Sequence, residues 1–125
     1  MTIDPELNMV YLPTETATGD SYGGHRHGDN LFTNSVVALD LTSGARQWHF
    51  QTTHHDVWDW DIPSAPILLN LTVDGRSSDA RAQPAKQGQT LVIAREPRGE
   101  EPEVIVGRRS RAAQALRFCC FRRGG

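Results

Sequence analysis

Ser35-Val36-Val37-Ala38-Leu39-Asp40-Leu41-Thr42-Ser43-Gly44-Ala45-Arg46-Gln47-Trp48-His49-Phe50-Gln51-Thr52 carries the clearest structural signal in the chain. Two runs rich in apolar and aromatic residues flank a short connection whose glycine can take the positive φ that closes a hairpin. The expectation is a β-hairpin pairing Ser35–Asp40 with Gln47–Thr52, with Val36, Val37 and Leu39 set against Trp48 and Phe50. Further short strand signals lie at Met9–Leu12, Ala65–Leu71 and Gln89–Ala94. Helical periodicity is poor through the first 95 residues, and the seven prolines oppose long helices, so the fold class expected is all-β.

Two long connections interrupt the strands. Thr14 to Thr33 is rich in glycine, histidine and aspartate. His54 to Ser64 holds two histidines, three aspartates and two tryptophans in eleven residues. Connections of this length are uncommon in a compact domain unless they bind something.

The balance of residues is ordinary for a globular protein, with 38% hydrophobic, 22% charged and a net charge of −2. No nucleic-acid or membrane-surface partner is implied. No apolar run approaches the ~18 residues of a membrane span, and the first residues, Met1 to Glu6, lack the features of a signal peptide. The charge is unevenly spread. Residues 1–97 carry twelve acids and six bases, whereas residues 98–125 carry three acids and seven arginines. Cys119 and Cys120 are adjacent, so they cannot staple distant segments together.

Ala38-x-Asp40-x-x-x-Gly44-x-x-x-Trp48 has the character of a repeat: strand, tight turn, strand, then an indole that can dock on a neighbouring sheet. Val92-Ile93-Ala94-Arg95 resembles the start of a second unit, with Gly99 one position late. Propellers use four to eight blades of roughly 40–50 residues; four blades already need about 160 residues, so 125 cannot close a ring.

Three ordered segments then carry a family resemblance. Ala38 to Trp48 resembles the tryptophan docking motif of the quinoprotein dehydrogenases. His54-His55-Asp56-Val57-Trp58-Asp59-Trp60-Asp61-Ile62-Pro63 resembles the active-site loop of their membrane-bound glucose dehydrogenase branch. Pro84-Ala85-Lys86-Gln87-Gly88 resembles a later segment of the same branch. The resemblance implies an internal fragment, one to two blades of an eight-bladed propeller that holds pyrroloquinoline quinone (PQQ) and a divalent cation, calcium or magnesium. It implies oxidation of a sugar, polyol or alcohol, with electrons passed to a quinone or a cytochrome, at the periplasmic face of the inner membrane or in the periplasm.

The residues follow from the same likeness. Asp59 matches the aspartate that takes the hydroxyl proton. Lys86 matches the lysine bonded to the quinone oxygens, a catalytic and cofactor-binding role. Asp61 matches a candidate cation ligand. Thr16 stands where the family has a cation-holding asparagine, so that ligand is not carried over. The isolated chain is expected to be inactive, and Asp59 and Lys86 are expected to face one cavity, about a ligand's width apart across a PQQ-sized ligand, whereas a free ion pair would close to ~4 Å.

Other readings were open to these residues. A non-catalytic propeller or metal-binding module would also carry the docking motif. His25, His27, His49, His54 and His55 suggest zinc, but their spacing does not force a site. Asn70-Leu71-Thr72 is a formal glycosylation sequon on an expected strand. The domain division expected is partial blades over 1–96 and a basic tail over 97–125. The register slip near Gly99 and the shift to Arg, Ala and Gly fit an out-of-frame or disordered tail, irregular or an isolated helix.

Overall fold

The computed structural model describes residues 1–73, 75–95, 102 and 104–108. Among these, eight strands form two antiparallel four-stranded sheets, each ordered as the chain runs. The first comprises β1 (Thr2–Asp4), β2 (Met9–Pro13), β3 (Ser35–Asp40) and β4 (Arg46–Gln51). The second comprises β5 (Ile67–Val73), β6 (Arg76–Ala85), β7 (Gln89–Ala94) and β8 (Val104–Arg108). Two such meanders are what two propeller blades require. No helix among the described residues is long and apolar enough to cross a membrane.

The expected hairpin is present as β3–β4, with Ala38 opposite Trp48 and Val36 opposite Phe50. Its turn is built by Asp40. The carboxylate accepts the backbone N–H groups of Ser43 (2.7 Å) and Thr42 (3.1 Å) and the Ser43 hydroxyl (2.8 Å). The Ser43 N–H above all holds the Asp40 carboxyl below its ordinary range. Gly44, at φ +72°, donates to the Asp40 carbonyl at 2.9 Å. Strand alternation corrects the facing residues: Val36 and Ala38 share the face of Trp48 and Phe50, whereas Val37 lies on the other.

One row across the first sheet reads Thr2, Tyr11, Ala38, Trp48. Ala38 contributes only a methyl group between the two large residues. The rings of Tyr11 and Trp48 therefore meet above it, with centroids 5.8 Å apart. Onto both rings comes the guanidinium of Arg81 from β6, 4.0 Å from the Trp48 centroid and 4.4 Å from that of Tyr11.

Arg81 is fully buried. Burying a cation costs several kcal/mol, and that cost pushes the Arg81 pKa down to about 10. Two desolvated cation–π contacts contribute about 2 kcal/mol each. Bonds to the carbonyls of Ala94 and Arg95 add to the offset.

A second cation closes the same seam. Arg95 grips the buried carboxylate of Asp4 through two nitrogens and reaches Glu6 at 2.6 Å. The Tyr11 hydroxyl donates to Asp4 at 3.3 Å. Arg95 is the main reason the Asp4 carboxyl is held below its usual range, while burial raises Tyr11. The apolar core runs through the seam as well: Met9, Tyr11, Val36, Ala38 and Trp48 of the first sheet cluster with Ile62 and Ile93.

Two differences from the expected organisation have plain causes. β6 reads Arg-Ser-Ser-Asp-Ala-Arg-Ala-Gln-Pro-Ala, with no apolar alternation, and is a strand because it is paired on both sides by β5 and β7. β8 lies beyond the boundary set at residue 96, so the segment 97–125 is not irregular throughout. Val104-Ile105-Val106 is a β-branched run, and it meets the edge of β7 with Val106 opposite Val92. Residues 109–125, with Cys119 and Cys120, lie outside the described residues.

Arg81→Ala is expected to cost about 2–4 kcal/mol, because it empties the space between two rings and unties the sheets; thermal or denaturant unfolding of the protein measures this. The Asp4 pairing stabilises the fold above the ordinary carboxyl pKa of 3.8 and is lost as pH falls through its lowered folded value. Asp4→Asn should accordingly lower stability at pH 7 and flatten its decline between pH 4 and pH 2.

Candidate active site

Antiparallel alternation brings three connections to one end of the sheets: β2 to β3 (residues 14–34), β4 to β5 (52–66) and the β6–β7 turn. The opposite end carries the β1–β2 and β3–β4 turns, tied together by Asn8 and Asp40. The chemically distinctive residues are all at the first end.

The 52–66 connection is organised around Asp56, which is 1% exposed. Its carboxylate accepts four hydrogen bonds: from the backbone N–H of Trp58 (2.9 Å) and Trp60 (2.7 Å), the Thr16 hydroxyl (2.7 Å) and the Asn34 amide (3.1 Å). The Asp56 carbonyl accepts from Arg26 at 2.7 Å, and Arg26 also reaches the Ala17 carbonyl at 3.1 Å. Asn34 donates in addition to the Trp60 carbonyl at 3.1 Å. The 14–34 connection is thereby bolted to the 52–66 connection.

Asp59 lies between the two tethered tryptophans with φ +58°, the left-handed region in which aspartate is one of the few tolerated side chains. Its carboxylate is half-exposed and pairs directly with Lys86 of the β6–β7 turn. The same ammonium reaches Asp61 at 3.3 Å. The turn is fixed by the N–H of Lys86 on the Asp61 carbonyl (3.0 Å) and by Gly88, at φ +73°, on Ala85 (3.0 Å). Asp59 foremost, and Asp61 with it, raise the Lys86 pKa above its ordinary value. Asp61 is held below the carboxylate range first by the Thr16 N–H, which it accepts at 3.0 Å.

Asp59, Asp61 and Lys86 are therefore brought together, and the facing direction expected for Asp59 and Lys86 is what the structure has. The two charged groups are in direct contact, the separation expected of a free ion pair. The backbone bond between Lys86 and Asp61 sets the lysine against the loop, so its chain folds back onto both carboxylates. The residues missed from sequence are Asp56, Asn34, Thr16 and Arg26 as loop fasteners. A signal for Asp56 existed, since an aspartate two residues ahead of a turn position readily accepts that residue's N–H.

The histidines are spread out. His55 bonds the Gly28 carbonyl at 2.8 Å, His54 lies 3.6 Å from Asp29, His25 stacks near Tyr22 and His49 meets Phe32 edge-on. No group of three or more metal-ligating side chains is placed together among the described residues.

The donor set does suit an oxygen-rich cofactor beside a hard cation. Two carboxylates already converge on one positive charge, as calcium or magnesium coordination would use them, although six or more oxygens are needed in all. An ammonium has three N–H donors, and Asp59 and Asp61 take two, leaving one for a carbonyl or carboxylate oxygen of a cofactor.

Comparison with known proteins identifies the family. The family profile described as "PQQ: Glucose/ethanol/alcohol dehydrogenase, beta-propeller domain" matches residues 1–104. Quinoprotein glucose dehydrogenase of Escherichia coli is 40% identical over 93 residues, covering 74% of this chain and 12% of that protein. The glycerol dehydrogenase large subunit of Gluconobacter thailandicus is 41% identical over 97 residues, covering 76% and 13%. The chain thus spans about an eighth of the length of these relatives. The crystal structure of quinohemoprotein alcohol dehydrogenase from Comamonas testosteroni superposes with a TM-score of 0.74 at 30% identity, over 86% of this chain and 16% of that one.

Close packing of the two connections rests on Gly23, which is buried. A Cβ there would lie 2.3 Å from Nε2 of His55 and 3.1 Å from Val57, and the His55 ring is held on its other side by Gly28. Gly23→Ala should destabilise the protein by about 1–3 kcal/mol and speed proteolysis within residues 14–34.

Proposed function

The chain belongs to the glucose/ethanol/alcohol dehydrogenase β-propeller family of PQQ enzymes, and on that premise we propose that it supplies one wall of the active site in a PQQ-dependent dehydrogenase. The substrate class is a sugar, polyol or alcohol. The electron acceptor is a quinone or a cytochrome, and the site faces the periplasm. The observation that carries this reading is the meeting of Asp59 and Lys86, delivered from different elements to one end of the sheets.

PQQ, when bound, accepts the hydride that the substrate carbon loses. Lys86 and Asp61 are the residues on this wall that would hold it and its cation: the ammonium toward quinone oxygens, the carboxylate toward the metal. Asp59 is assigned the proton. An alcohol releases hydride only as its hydroxyl proton is removed, so a base must stand within hydrogen-bond reach of that hydroxyl. Asp59 meets two requirements of such a base. Its carboxylate is half-exposed and can meet a substrate, and its backbone is held on both sides by the bonds to Asp56. The neighbouring Lys86 ammonium pairs with that carboxylate directly. With PQQ bound, the Lys86 ammonium would offset negative charge on the quinone oxygens.

In the protein that carries this segment, Asp59→Asn should lower kcat by about 10²–10⁴-fold, the usual worth of a general base. PQQ should still bind, since the amide keeps the size of the side chain and leaves Lys86 in place. Near-wild-type kcat in the variant would remove Asp59 from the chemistry.

A further inference from the structure

We propose that Asp56 is the positioning residue for Asp59, the group through which the fold sets the aim of the catalytic carboxylate; this rests on the functional reading above. Asp56 cannot itself meet a substrate. It is 1% exposed, and donors approach it from four sides. What it does instead is gather the N–H groups of Trp58 and Trp60, the two neighbours of Asp59, around one buried negative charge.

The backbone between those two N–H groups must reverse its direction for both to point inward, and Asp59 is the residue that turns, at φ +58°. A left-handed non-glycine residue is disfavoured because its Cβ crowds the backbone carbonyl. It persists only where the surroundings over-determine it. Two charge-assisted bonds from the flanking amides supply that constraint. The turn also puts the Asp59 side chain outward, half-exposed, while Asp56 stays inside.

Every group around the Asp56 carboxylate is a donor. Thr16 and Asn34 contribute from the other connection, and Asn34 additionally fixes the Trp60 carbonyl. The position where the resemblance would have a cation-holding asparagine is thus occupied by a threonine whose hydroxyl is committed to Asp56 and whose N–H is committed to Asp61. Both acids that frame Asp59 are aimed from the first connection.

An acceptor surrounded only by donors cannot be replaced by an amide. Asp56→Asn keeps the shape but turns an NH2 group toward N–H and O–H donors. In the full-length protein loaded with PQQ, the expected result is a fall in kcat of about 100-fold, the scale of a small misplacement of a catalytic group. KM and PQQ affinity should stay within about threefold, since no group that touches either is altered. Amide hydrogen exchange at Trp58 and Trp60 should accelerate by at least about tenfold, one lost bond's worth, a readout that needs no turnover. In an Asp59→Asn background, Asp56→Asn should lower kcat no further.

If Asp56→Asn does not accumulate as folded protein, Thr16→Val decides. It removes one donor and is expected to reduce kcat about tenfold, with faster exchange at Trp60. The inference is overturned if Asp59→Asn abolishes turnover while the folded Asp56 or Thr16 variant keeps wild-type kcat. It is also overturned if the two substitutions add fully in combination. Wild-type turnover in Asp59→Asn itself would instead defeat the functional reading, and the exchange measurement would still show whether Asp56 holds the turn.

Discussion

A buried guanidinium lies at the centre of the seam between the two sheets. Arg81 leaves the second sheet and enters between Tyr11 and Trp48 of the first, and the position of the whole β6–β7 hairpin follows from it. That hairpin carries Lys86 at its tip. The 52–66 connection carrying Asp59 and Asp61 is anchored to the first sheet side by Thr16 and Asn34. The two halves of the candidate site therefore belong to different sheets, and the seam formed by Arg81, Asp4 and Arg95 decides whether they meet. The alanine at position 38 belongs to the same constraint, because any larger side chain there would separate the rings that receive Arg81.

Much of the first sheet was legible in the sequence, and for a local reason. Asp40, Ser43 and Gly44 define a turn by bonds within five residues, so the strands on either side had little choice of partner. The second sheet was less legible because its central strand has no pattern of its own. Arg76 to Ala85 is extended through pairing on both edges, and its longest buried side chain is a charged one. Binary patterning reads Arg81 as a surface residue. The aromatic pair on a different sheet, with the carbonyls of Ala94 and Arg95, offsets the cost of its burial. β8 was missed for the opposite reason: the short run Val104–Val106 was outweighed by the arginine-rich composition that follows it.

The site was legible unevenly too. Asp59 and Lys86 were named through motif resemblance, and the fold brings them to one place. What motif resemblance did not show is the backbone bond between Lys86 and Asp61, residues 25 apart in sequence, that sets the lysine against the loop. Asp56 is the instructive case. It sits inside the motif that identified the loop, yet its part shows only when the donors around it are counted. Motif reading favours residues that face the chemistry, whereas hydrogen-bond accounting finds those that hold them there.

The central claim is that Lys86 and Asp59 share one site and that the cofactor docks against the lysine. Lys86 is the only lysine in the 125 residues, so covalent labelling of this segment has one possible side-chain amine. Reductive methylation of the full-length protein, read by mass spectrometry of the peptide containing Lys86, should modify the half-exposed ammonium in the absence of PQQ. Saturating PQQ should protect it, while lysines elsewhere on the surface react as before. Equal labelling of Lys86 with and without PQQ, in protein shown to have bound the cofactor, would contradict the account.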